Sequence, residues 1–157
     1  MTALLLILRV GCAVSVLAFF ALLGLWAGPD AEAALAPVVV RQLVDGVHRS
    51  EDGRQVCWAH RFGKARTAEP YDANWTMRGA GLIFPFQRVW RVDEDDRAIS
   101  DIAPRPVADA LVSYRCAEIP EALSASPIRI TGFMEYRTPQ TGWLWTVRQA
   151  TPEVVVP

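Results

Sequence analysis

The sequence predicts a mainly β domain, a sandwich or barrel-like antiparallel sheet, behind a single N-terminal transmembrane helix. Three observations carry this reading. The apolar excess of the 157 residues is concentrated between Ala3 and Ala27, where Arg9 is the sole charge. The stretch 38–157 is an ordinary mixed sequence in which short runs alternate apolar and polar residues between turn formers. Of the 3 cysteines, Cys57 and Cys116 both fall in that stretch. The length allows about one domain. With 16 Lys+Arg set against 17 Asp+Glu and both signs scattered, no basic field is available for a phosphate backbone, so no nucleic-acid partner is expected.

Taken in order, the first element is the apolar segment 3–27. Val10 to Ala27 is uncharged, and a helix of that length rises about 27 Å against a hydrocarbon core of about 30 Å. Arg9 can snorkel to one headgroup layer and Trp26 suits the other. Arg9 and the α-amino group on one side, with Asp30 and Glu32 on the other, favour a cytoplasmic N-terminus and a C-terminal domain in the periplasm. The competing reading is a cleaved signal peptide, because Ala31-Glu32-Ala33 supplies an A-x-A pattern that would secrete a chain beginning at Ala34. The length of the apolar run favours a retained signal anchor in the inner membrane. Residues 28–37, with Pro29 and Pro37, are expected to be a short linker.

The β-rich domain is expected over 38–157. Strand candidates are Val38–Val44, Gln55–Phe62, Trp75–Arg78 and Leu82–Val92, separated by Asp52-Gly53, Gly63-Lys64 and Gly79-Ala80-Gly81. The strongest signals come later. Ile128, Ile130, Met134 and Tyr136 alternate with Arg129, Thr131 and Glu135, and Trp143, Trp145 and Val147 alternate with Leu144, Thr146 and Arg148. Pro139 and Gly142 lie between them, so a hairpin over Ile128–Gln149 is expected. Residues 106–115 fit two periods. Pro106 followed by Val107, Ala110, Leu111 and Tyr114 predicts one short helix, while Val112, Tyr114 and Cys116 alternate as a strand does; the helix is slightly favoured. Glu153-Val-Val-Val-Pro157 is β-prone and expected to finish the sheet.

Cys57 and Cys116 are expected to form a disulfide in an oxidising compartment. Val56, Trp58 and Phe62 form the apolar face of their run, with Cys57 on the other side beside Gln55 and Arg61. That argues against a bridge pinning two packed sheets through the core. Asp93-Glu94-Asp95-Asp96 lacks the alternate spacing of a calcium loop and reads as a solvated turn. His60 falls on the apolar face and is expected to be a packed core histidine; neither it nor His48 sits in a catalytic motif or a zinc-ligand cluster. Asn74-Trp-Thr76 is an N-x-T triplet, which suggests an exposed loop.

No motif asks for a metal or a cofactor, and no catalytic residue is assigned. The candidate binding residues are Tyr136, Arg137, Trp143 and Trp145. Core burial is the ordinary role of such rings. The sharper expectation is an aromatic platform, with Trp143 and Trp145 stacked against Tyr136 across the hairpin and Arg137 at its edge. The functional expectation is a single-pass membrane-anchored, non-catalytic interaction or assembly module with an envelope protein partner, in a bacterium or a phage-modified envelope. The alternatives are a glycan or small-ligand binder using the Trp143/Trp145 hairpin, and an envelope enzyme whose groups converge from unlinked positions.

Overall fold

The computed structural model describes residues 2–93, 95, 97–142 and 144–157. Helix α1 (Thr2–Leu35) is followed by ten strands: β1 (Val39–Arg49), β2 (Gln55–Lys64), β3 (Glu69–Gly79), β4 (Leu82–Phe84), β5 (Val89–Val92), β6 (Ala98–Ser100), β7 (Ala108–Glu118), β8 (Ile128–Arg137), β9 (Val147–Ala150) and β10 (Val154–Val156). They form two antiparallel sheets. One has the order β1-β2-β7-β5-β6 and the other β10-β8-β3-β4, with β9 also pairing β8. The mainly β fold behind one apolar helix is as the sequence predicts. The stretch Ile7–Leu35 is long and apolar enough to cross a membrane.

Alternation places the core. On β2 the inward set is Val56, Trp58, His60, Phe62 and Lys64, and on β8 it is Ile128, Ile130, Met134 and Tyr136. The apolar residues divide into two clusters. One contains Val56, Trp58, Trp75, Met77, Ile128, Ile130 and Val156, and the other Val38, Val39, Phe62, Met134, Tyr136 and Val147. Trp58 and Trp75 meet edge to face, with ring centroids 5.8 Å apart. Trp75 pairs in register with Gly132, where a Cβ would stand 2.3 Å from the indole ring, so only glycine lets β8 lie under this tryptophan. One side of the sandwich is closed by a side chain. Gln149 Oε1 accepts from the backbone N–H groups of Val38 and Val39, 2.8 Å each, joining the start of β1 to β9 of the other sheet.

Five expectations are corrected. Residues 106–115 hold no helix: Ala108–Glu118 is strand β7, paired along β2 from Phe62↔Leu111 to Gln55↔Glu118 and with β5 on its other edge. Ladder pairing on both edges, with Ser113, Arg115 and Ala117 turned inward, overrides the helical period. Residues 28–35 are no extended linker, because α1 runs through Pro29 to Leu35. Leu82–Val92 is two strands in different sheets, broken after Phe84 where Pro85 removes a ladder donor. The hairpin forms, but its second strand begins at Val147, opposite Tyr136, so Trp145 lies in the preceding turn rather than across from Tyr136. Asn74-Trp-Thr76 lies inside β3, with Trp75 buried.

Other expectations hold. Gly79↔Leu82 closes a two-residue turn with positive φ at Ala80 (49°) and Gly81 (75°), the geometry that matches strand twist. In the described part of the acidic turn, Asp93 Oδ1 accepts from the backbone N–H of Arg97 at 2.8 Å. Val154–Val156 adds to β8 and finishes the sheet.

Candidate functional site

The end of α1 is not free of the domain. Glu32 projects into the turn that precedes β9, where its carboxylate accepts from Thr138 Oγ1 (2.9 Å), Thr141 Oγ1 (2.5 Å) and Trp145 Nε1 (2.8 Å), and pairs with Arg66 Nη1 at 2.8 Å. One helical turn earlier Gly28 faces the same way. A Cβ there would stand 2.8 Å from the Trp145 ring, so the indole lies flat on the helix backbone while its N–H reaches Glu32. Ala33 adds to the apolar cluster around Phe62 and Tyr136. The turn itself is held by Gly142 N–H to Thr138 O (2.8 Å) and Leu144 N–H to Thr141 O (2.8 Å). Gly28 and Glu32 are four residues apart on one helix face, and together they clamp the apolar helix to the β domain.

This clamp changes the part played by the sequence candidates. Trp145 is half-buried and holds the end of α1. Tyr136 is 7% exposed and belongs to the inner cluster, where burial raises its hydroxyl to about 12 and keeps it neutral. Arg137 is exposed, with its guanidinium 3.8 Å over the ring of the exposed Tyr71. Trp143 lies outside the described residues. The geometry therefore brings Arg137 to the surface beside Tyr71, and turns Tyr136 and Trp145 to internal contacts. Sequence reasoning missed Glu32, Arg66 and Gly28. The one local signal was a glycine four residues before one of two carboxylates, Asp30 and Glu32, at the end of an apolar helix.

A polar layer separates the two apolar clusters. Arg115 Nε pairs with Asp101 Oδ1 at 2.6 Å, and Trp75 Nε1 donates to Asp101 Oδ2 at 2.9 Å. Arg115 Nη1 donates to His60 Nδ1, and Nη2 reaches the Met134 sulfur at 3.4 Å. His60 is 3% exposed and packed on Phe62. Burial, and then the Arg115 charge, push it down to about 3, so it is neutral, with its second nitrogen enclosed and without a partner among the described residues. It is the packed core histidine that its place on the Val56-Trp58-Phe62 face predicts.

Cys57 and Cys116 are joined in a disulfide, directly opposite one another on β2 and β7. The bridge lies within one sheet, on the face away from the core, as the position of Cys57 opposite Val56 and Trp58 implies. No protein-family model matches the chain and no curated protein is similar to it, so its chemistry rests on its own residues.

Proposed function

We propose that the protein is a single-pass membrane protein whose β domain lies outside the cytoplasm, N-terminus in, and acts as a non-catalytic interaction and assembly module in a bacterial or phage-modified envelope. The carrying observation is the Glu32 clamp. A flexible tether is enough for a domain that needs only to stay near the bilayer. A helix locked to its domain by one carboxylate and four donors suits a domain that must present one surface at one angle. The clamp also favours a retained anchor over a cleaved leader. Cleavage after Ala33 would release Glu32 with the helix and leave Arg66 and Trp145 without their shared acceptor. The Cys57–Cys116 bridge supports an oxidising compartment.

The surface this reading assigns to a partner is the edge beside the anchor, where Arg137 stacked on Tyr71 and the exposed Leu144 border the clamped turn. Arginine and tyrosine are the residue types that dominate interface energetics, and anchoring raises the local concentration, so modest affinity is sufficient. The test is site-specific photo-crosslinking from position 71 or 144 of the full-length protein in membranes. One discrete adduct is expected, weakened by Arg137→Ala without a change in melting temperature. Absence of any adduct at both positions from correctly folded protein would refute this surface.

A further inference from the structure

Next to the polar layer, between the sheets, lies a small cavity of about 20 Å³ lined by Lys64, Arg91, Arg105, Ser113, Arg115 and Tyr136, with Asp101 as the sole carboxylate in its wall among the described residues. Three of the four cations are almost wholly enclosed: Lys64 is 5% exposed, Arg91 3% and Arg115 4%. Arg115 is neutralised by Asp101. The other three have no carboxylate partner among the described residues. Lys64 Nζ donates to the carbonyls of Ala68 (2.8 Å) and Arg105 (2.6 Å), Arg91 Nε to the carbonyl of Ser100 (3.1 Å), and Arg105 Nη2 to Ser113 Oγ (3.4 Å). Arg105 Nε is buried with no partner among the described residues. Asp93 is engaged in its own turn and Asp95 pairs with Arg97.

Val39, Phe62, Pro70, Ala103 and Met134 complete a wall whose surface is largely carbon, but its basic side chains outnumber its carboxylates four to one among the described residues, and enclosure makes a charge without a counter-charge costly. Burial and the neighbouring arginines push Arg91 down to about 10, a shift that leaves it charged at neutral pH. A water molecule would fit but would leave the charge surplus in place. We propose that this cavity is a binding site for a monovalent anion of chloride size, held by Arg91, Arg105 and Lys64 with the Ser113 and Tyr136 hydroxyls as further donors.

The test uses the full-length protein in detergent, with its melting temperature followed in sodium chloride, sodium gluconate and sodium sulfate at matched ionic strength. Chloride at about 100 times its dissociation constant is expected to raise the melting temperature by roughly 5 °C over gluconate, with a response that saturates. Arg91→Met removes one of the uncompensated charges, so its melting temperature in gluconate is expected to match or exceed that of the parent, and the chloride response to be lost. Crystals soaked in bromide provide a second reading that does not depend on the variant, with one anomalous peak expected between Arg91 and Arg105. Equal melting temperatures in chloride and gluconate, an equal effect of sulfate, an undiminished chloride response in folded Arg91→Met, or no bromide peak at this place would each overturn the site.

Discussion

Glu32 carries more of the molecular organisation than any other charged residue described. Glu32→Ala strands the Arg66 guanidinium and the Trp145 indole N–H in partly enclosed surroundings, with an expected loss of about 2–3 kcal/mol. Because α1 then loosens while both sheets remain, the informative measurement is limited proteolysis: cutting is expected between Ala27 and Val38 in the variant and not in the parent. Glu32→Gln keeps acceptor capacity for the indole and should fall between the two. His60 governs the acid limb. Its folded value of about 3 lies below its ordinary 6.5, so the unfolded chain takes up the proton first. Its contribution is fully present above about pH 6.5 and is lost as pH falls towards 3, at a slope approaching 1.4 kcal/mol per pH unit, about tenfold in the folding constant. Denaturant midpoints of the parent and His60→Gln across that window check this. The variant is expected to be less stable at pH 7 and to show a flatter acid limb. The facing of His60 was legible from the period of β2. Its Arg115 partner was not, because the pairing depends on β2 and β7 being neighbours, which no local pattern encodes.

Among the elements, β9 and β10 form one interrupted strand along a single edge of β8, with Pro152 in the break and Thr151 N–H returning to Gly132 O at 2.9 Å. Truncation before Glu153 removes Val154 and Val156, each 1% exposed. The expected loss is about 1.5–3 kcal/mol per valine, together with aggregation from the uncovered β8 edge, read by denaturation midpoint and light scattering. The β2–β7 pair is braced by the disulfide. Denatured, unreduced protein is expected to show one reactive thiol, Cys12, and all 3 after reduction. Reduction should lower stability by roughly 4 kcal/mol in the chain-entropy view, measured as a fall in melting temperature. Where two periods competed, as over 106–115, the edge partners settled the outcome. Sequence periodicity carried no information about them, since Ala110 and Tyr114 suit either pattern.

For the whole molecule, the expectation is an intact anchor with the domain outside the cytoplasm. Protease added to spheroplasts is expected to degrade the β domain, and the purified chain to retain Glu32. Protection of the domain in intact spheroplasts would reverse the proposed orientation, and a mature N-terminus at Ala34 would show a cleaved leader. The sequence by itself determined the apolar helix, the β class, the Cys57–Cys116 pairing and the inward face of β2 and β8. These follow from composition, from a period of two and from the presence of just two cysteines outside the helix, all of which are local or countable. Tertiary structure alone decided that residues 28–35 stay helical, that Trp145 holds the end of α1, and that four basic side chains far apart in sequence surround one cavity. Each of these depends on residues roughly 15 to 110 positions apart being brought together by sheet order. The physical reason is that a charge or a ring becomes a site only through its neighbours, and those neighbours are chosen by the packing of whole sheets rather than by any stretch of the chain.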